Sequence, residues 1–334
     1  MGRGAPIAIQ SMTKTDTRDT EATVDQIQEL EEVGCEIIRV AVPDEDAAKK
    51  LKKIKERISI PLIADIHFNY KLALLAISSG VDGLRINPGT LGEKWKIAEV
   101  VKKASQQSIP IRIGINAGSL EKDLLEKYGH PTPEALVESA LRNIKLLESF
   151  DFNLIKVSLK ASDVLTTVNA YRLIATQTDY PLHLGITEAG SLSNGIIKSA
   201  IGLGILLAEG IGDTIRVSLT AHPVEEVRVG QRILQALKLR MFHPEIISCP
   251  TCGRCEINLE EIVRELERQI SGCKKILTVA IMGCAVNGPG EAREADVGIA
   301  GGKNSGILFK KGKPQEKVAA ENLLNRLITE INRY

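Results

Sequence analysis

Hydrophobic and polar positions alternate in two rhythms along the first two thirds of the chain. Short β-branched runs recur, and each is followed by a longer stretch whose apolar residues repeat every three or four positions. The runs are Ile7–Met12, Ile37–Val42, Pro61–Ile66, Gly83–Asn87, Pro110–Ile115, Asn153–Lys160, Pro181–Ile186 and Thr214–Leu219. Between them the spacing predicts helices. Glu21–Val33 sets Val24, Ile27 and Leu30 on one stripe, and Asp44–Arg57 sets Ala47, Ala48, Leu51 and Ile54 on another, with lysines opposite. Further helices are predicted over Lys71–Ser79, Glu93–Ser105, Pro133–Ser149, Ser162–Thr176, Leu192–Ala208 and Val224–Leu237. Start signals agree: Thr132 precedes Pro133, and Asp44 and Ser162-Asp163 are good caps.

Eight strand–helix units are the count of an α/β protein of the (β/α)8 TIM-like barrel type. The rival is a doubly wound open sheet, but no G-x-G-x-x-G opens a helix after a strand. After about residue 245 the rhythm changes. A cysteine cluster is followed by a helix (Leu259–Ser271), a strand (Ile276–Met282), short strands at Val297–Ala300 and Ile307–Phe309, and a last helix (Lys317–Ile331). We therefore expect a barrel domain over residues 1–245 and a small α+β domain over residues 246–334.

Charge narrows the function. Lys+Arg total 43 and Asp+Glu 42, and aromatics are only 3% of the 334 residues, so a nucleic-acid partner is not expected. The longest apolar run is about nine residues, Ala200 to Ala208, against about 20 for a bilayer span, so no membrane partner is expected either. With no signal core at the amino terminus, the expected location is the reducing cytoplasm. Five of the 6 cysteines follow residue 248, a crowding that in that compartment points to metal or redox chemistry.

Polar exceptions inside the apolar strands keep the strand period of two. Arg85 shares a face with Asn87, Arg112 with Asn116, Lys160 with Ser158 and Lys156, Arg216 with Ser218, and Asp65 with His67, while Arg39 interrupts its run alone. Many sit late in their strands, where barrel enzymes build active sites. Five cations, Arg39, Arg85, Arg112, Lys160 and Arg216, meet only Asp65 and Glu188 there. Buried cations without partners are costly, so the excess calls for a polyanionic ligand, and Arg forks suit phosphate oxygens. Glu188, in a Gly-flanked turn at a strand end, is the best proton-donor candidate. His67 reads equally as an orienting group or a core histidine, whereas His183 and Lys156 read as structural.

Cys249-Pro-Thr-Cys252-Gly-Arg-Cys255 offers thiolates at C-x-x-C spacing, and Cys284 follows in a Gly/Pro-rich loop. A second C-x-x-C pair, which zinc favours, is absent, so an iron–sulfur cluster is the leading reading, ahead of zinc or thiol redox chemistry. Cys249, Cys252 and Cys284 supply three ligands. Spacing leaves the fourth open among Cys255, Cys273 and Glu291. Cys35 reads as core.

Taken together, the segments Ala5–Met12, Ala64–Phe68, Leu84–Gly89, Arg112–Leu120, Leu184–Gly190, Ser248–Arg254 and Gly283–Glu291 resemble the 4-hydroxy-3-methylbut-2-enyl diphosphate synthase family of the non-mevalonate isoprenoid pathway. The resemblance runs from about residue 4 to 334. It implies a TIM-like barrel joined to a reductase-like [4Fe-4S] domain in a homodimer with shared active sites. It implies reduction of 2-C-methyl-D-erythritol 2,4-cyclodiphosphate with electrons from flavodoxin or ferredoxin. By motif position, the cluster ligands would be Cys249, Cys252, Cys284 and Glu291. The diphosphate contacts would be Arg39, Arg85, Arg112, Asn116, Lys160, Arg216 and Ser218, with Glu188 as proton donor. Asp65, His67, Asn87 and Thr187 are further candidates for the same site.

Overall fold

The structure is a computed structural model that describes residues 2, 4–270, 272–284, 290 and 293–334. It divides into two compact units, Met1–Arg240 and Met241–Tyr334.

The first unit contains eight parallel strands: β1 (Ala8–Met12), β2 (Ile37–Ala41), β3 (Leu62–Asp65), β4 (Gly83–Ile86), β5 (Ile111–Asn116), β6 (Ile155–Lys160), β7 (His183–Leu184) and β8 (Thr214–Ile215). They run in the order β6-β5-β4-β3-β2-β1-β8-β7, and the parallel bridge Val157–Leu182 joins the two ends into a barrel. The helical stripes face the sheet as their spacing requires. The helix Thr20–Glu32 buries Val24, Ile27 and Leu30, and Asp19 accepts from its Ala22 amide. The helix Glu45–Lys55 buries Ala47, Ala48, Leu51 and Ile54 beneath an Asp44 cap. Each Leu or Ile sealed in this way contributes about 1.5–3 kcal/mol.

Two strands are shorter than the sequence predicts. The runs Pro181–Ile186 and Thr214–Leu219 pair as strand only over His183–Leu184 and Thr214–Ile215. At Gly185 an added Cβ would lie 2.5 Å from the Arg216 carbonyl oxygen and 2.6 Å from Lys160 Nζ. The backbone there is spaced for side chains of the lumen rather than for a continuing ladder. Three short helical turns, Pro88–Leu91, Ala117–Ser119 and Lys122–Tyr128, fall in segments to which the sequence pattern assigns no element.

The second unit is a five-stranded sheet in the order β13-β12-β11-β10-β9, made of β9 (Glu245–Ser248), β10 (Thr278–Met282), β11 (Val297–Ala300), β12 (Ser305–Lys310) and β13 (Lys313–Ala319). The first three are mutually parallel and the last two antiparallel. One face, carrying Val279, Ile281, Val297 and Ile299, clusters with Leu266 of the helix Leu259–Gln269 and Leu327 of the helix Leu323–Arg333. Here the sequence reading needs a correction, because the last helix begins at Leu323 rather than Lys317. Lys311 and Gly312 both take left-handed φ (47° and 73°), the two-residue turn that returns β13 onto β12. Cross-strand pairing of Ile307 with Lys317 overrides the helical preference of Glu316–Ala319.

Candidate functional site

The lumen of the barrel holds the charged constellation. Arg39, Asp65, Arg85, Asn87, Arg112, Ser158 and Lys160 are all buried. Asp65 closes β3 and stands in register with Arg85 of β4, which itself stands in register with Arg112 of β5. The Asp65 carboxylate accepts from Arg85 Nη1 at 3.1 Å and lies 3.6 Å from Arg39 Nε. His67 Nε2 is 2.7 Å from the same Arg85 nitrogen and 3.5 Å from Asp65. Burial alone would raise the Asp65 carboxyl; Arg39, the His67 hydrogen bond and Arg85 outweigh it and hold the group far below the carboxylate range. Arg85 Nη2 donates to the Gly114 carbonyl at 3.2 Å, and Asn116, with its amide turned to donate to Ile115, accepts from that nitrogen at 3.2 Å.

On the other side of the lumen the partners change. Arg112 Nη1 donates to Gln10 Oε1 of β1 at 3.2 Å, a brace between strands on opposite walls. Arg216 Nη2 lies 3.7 Å from Glu226, a buried carboxylate in the helix Pro223–Ala236. Glu226 also accepts from the Leu219 amide and Ser11 Oγ, and pairs with Lys14 at 3.3 Å. Lys160 has no ion-pair partner among the described residues. Burial, then Arg112 and Arg216, drives its amine well below the usual lysine range. Burial, then Arg39 and Arg85, does the same to Arg112, and burial brings Arg39 down to about 9. Nε atoms of Arg85, Arg112 and Arg216 are buried without a hydrogen-bond partner. Five cations against two buried carboxylates make a cradle for a multiply charged anion.

The sequence reading missed Gln10 and Glu226. Gln10 is a polar exception in an apolar strand, uncounted because it is neutral. Glu226 falls on the buried stripe of Pro223, Val227 and Gly230, where helical spacing could have exposed it. Conversely Glu188, counted as a counter-charge of the mouth, is exposed and takes no ion-pair partner among the described residues. Its φ is 52°, a strained backbone for a residue with a side chain. Phe68, beside His67, has φ 61° and is 76% exposed. Thr187 and Ser218 are half-buried, and Asn87 caps the turn Pro88–Leu91 by accepting from the Gly89 amide. Lys156 is partly buried, and burial brings its amine down to about 8. His183 is buried with Nδ1 2.9 Å from Thr214 Oγ1.

In the second unit, Cys249 follows β9 and Cys284 follows β10, and these strands are parallel neighbours with Ser248 opposite Ile281. The Gly283 amide donates to Cys249 Sγ at 3.4 Å. An added Cβ at Gly283 would lie 2.4 Å from Cys255 Sγ and 3.6 Å from Cys249 Sγ, so both sulfurs lie against this glycine. Cys255 Sγ donates to the Ile257 carbonyl, and Cys252 is exposed on a turn where Thr251 has φ 60°. Cys35, Cys249, Cys252, Cys255 and Cys273 are free thiols. Glu291 lies outside the described residues, and among the described residues no three metal-ligating side chains are grouped around one point. The donor chemistry nonetheless fits a thiolate-held iron–sulfur group, since cysteine sulfurs follow two adjacent strands.

Residues 1–231 match the GcpE TIM-barrel domain and residues 245–333 the GcpE protein C-terminal domain. The chain is 62% identical over 333 residues to 4-hydroxy-3-methylbut-2-en-1-yl diphosphate synthase (flavodoxin) of Thermodesulfovibrio yellowstonii, covering 100% of this chain and 95% of that one. It is 60% identical over 333 residues to the protein of the same name from Geobacter sulfurreducens, covering 100% and 94%. The chain belongs to the GcpE family. Among solved structures it is similar to Yersinia pestis dihydropteroate synthase over 72% of this chain and 98% of that one, at 12% identity and a TM-score of 0.49. Both GcpE domains coincide with regions already marked by their chemistry: the first spans the cation-lined lumen and the second spans the cysteine-bearing sheet. No helix among the described residues is long and apolar enough to cross a membrane.

Proposed function

We propose that this chain is a flavodoxin-dependent 4-hydroxy-3-methylbut-2-enyl diphosphate synthase. It would open and dehydroxylate 2-C-methyl-D-erythritol 2,4-cyclodiphosphate to (E)-4-hydroxy-3-methylbut-2-enyl diphosphate, a step in isoprenoid precursor supply. The likeness to the flavodoxin-type synthases over the whole chain carries this reading. The excess of buried cations is its chemical counterpart, because a cyclic diphosphate brings the negative charge the lumen lacks.

In this reading Arg39, Arg85, Arg112, Asn116, Lys160, Arg216 and Ser218 hold the diphosphate. Asp65 and Glu226 keep the guanidinium forks aimed, so the site is preorganised before the ligand arrives. His67 bridges Asp65 and Arg85 at the rim. Two electrons are consumed as the ring C–O bond opens and a hydroxyl leaves as water, so the departing oxygen needs a proton. Glu188 holds that proton on the exposed turn above the cations. Cys249, Cys252, Cys284 and Glu291 would hold a [4Fe-4S] cluster, which supplies electrons singly when bound. A homodimer with shared sites, as the family resemblance implies, working in the cytoplasm, completes the reading, and a monomer fully active at nanomolar dilution would remove the dimer.

Anaerobic purification tests the proposal. The expected protein is brown, contains iron and sulfide, and turns over the cyclic diphosphate with reduced flavodoxin. Colourless protein carrying zinc, inactive after cluster reconstitution, would overturn it.

A further inference from the structure

The seam between β6 and β7 is interrupted by a side-chain hydroxyl. The register is set by Val157, whose amide donates to the Pro181 carbonyl at 2.9 Å within the parallel bridge Val157–Leu182. In a parallel ladder the next donors along β6, Leu159 and Ala161, would bond to the carbonyls of residues 183 and 185. Neither does so. The Leu159 amide donates instead to Tyr171 Oη at 3.1 Å, and that hydroxyl passes its own proton to the His183 carbonyl. The Ala161 amide donates to Thr167 Oγ1 at 3.1 Å, and that hydroxyl donates to the Ala161 and Asp163 carbonyls on its own side of the seam. Tyr171 lies on the helix Val164–Ala175 and is wholly buried. The register itself survives the interruption, because the Thr187 amide still reaches the Ala161 carbonyl at 3.3 Å. An inserted hydroxyl thus replaces one hydrogen bond by two in series and widens the seam without slipping it.

The widened stretch lies opposite the part of the lumen that needs space. Lys160 stands between Leu159 and Ala161, and its amine lies where a Cβ on Gly185 would come within 2.6 Å. Glu188 follows Thr187 directly. We infer that Tyr171 is a positioning residue, which spreads β6 from β7 so that Lys160 leans over Gly185 towards the ligand and the Glu188 turn is presented at the rim. The inference rests on the proposed assignment of Lys160 to the diphosphate. It also accounts for the shortness of β7, whose ladder partners on β6 are taken by the helix.

A double-mutant cycle on the oxidised holoenzyme tests it, reading the Kd of the cyclic diphosphate by calorimetry and kcat with reduced flavodoxin. Tyr171→Phe should weaken binding about tenfold with kcat little changed, the scale of one lost interaction. Lys160→Ala should weaken it further, and adding Tyr171→Phe to Lys160→Ala should cost nothing more. Wild-type Kd in Tyr171→Phe alongside a lowered melting temperature would mark a purely structural hydroxyl and overturn the inference. Multiplying effects in the double variant would overturn it too. An unaltered Kd in Lys160→Ala would instead remove the ligand assignment beneath it. Should Tyr171→Phe fail to fold, Tyr171→Met, which removes the hydroxyl but keeps an adaptable apolar side chain, enters the same cycle with the same expectations.

Discussion

The barrel and the small sheet place their chemistry in opposite ways. The barrel carries charge inside its closed wall: Arg39, Arg85 and Arg112 are nine-tenths buried and answer to Asp65, His67 and Gln10. The small sheet keeps a core of Leu, Ile and Val on its helix-covered face and leaves Cys249 and Cys284 to the strand ends. A ring of eight strands encloses enough inward positions to surround a polar group with partners. An open five-stranded sheet must bury apolar side chains merely to stay folded, so reactive groups are left to its edges. Precision should therefore depend on the charge network in one unit and on individual loop residues in the other.

The largest effect that could break this contrast is at the strand ends. Cys284→Ser should abolish iron–sulfur absorbance and turnover together, whereas Cys255→Ser and Cys273→Ser keep both; a colourless Cys255→Ser protein would reassign the ligand beside Gly283. Next comes the rim. Glu188→Gln should lower kcat by about 10²–10⁴ with cluster absorbance intact, and near-normal turnover would remove its proton role. In the lumen, Asp65→Asn leaves Arg39 and Arg85 without their shared counter-charge and should cost about 3–5 kcal/mol in urea unfolding. A loss below about 1 kcal/mol, the level of an exposed pair, would mean that the network is not acting as a buried one. Gly114→Ala forces a methyl to within 2.3 Å of Arg85 Nε and should cost about 1–3 kcal/mol while loosening diphosphate binding.

The smallest effect is a slope. Unfolded lysine binds its proton up to about 10.5, whereas burial lets folded Lys156 hold its proton only to about 8. Between those values the unfolded chain binds more protons, so this residue makes stability rise with pH across that window. Lys156→Met should flatten the rise in urea midpoints measured there, and an unchanged slope would place that pH dependence elsewhere.

How far the sequence could be read follows the same division. Strands β1 to β6 are legible because Val and Ile runs bounded by turns need no tertiary information, and the helices lose or gain only a few residues at their caps. The ladder of β7 is not legible, because it is interrupted by the hydroxyl of Tyr171, twelve residues further back on a helix. Nor is β13, whose Glu316–Ala319 favours helix locally and becomes strand only by pairing with β12. The cationic lumen is visible through period-two exceptions, since charged residues in apolar strands stand out. Glu226 is visible only through its place on the apolar stripe of Pro223 and Val227, and is easily passed over because an acidic residue in the first turn of a helix has an ordinary explanation in the helix dipole. The cysteines are legible as chemistry but not as geometry, because spacing cannot say that Cys255 Sγ, rather than Cys252, lies against Gly283.

Phe68, Glu188 and Thr251 share a backbone twist that glycine would adopt freely, and each stands beside, or is, a residue proposed to act. A side chain in that conformation costs about 1–2 kcal/mol. Any laboratory selection that rewards heat resistance alone would therefore drift towards glycine at these three places. The survivors would be hardier proteins with a blunted rim, and such a screen should be run with turnover as its second criterion.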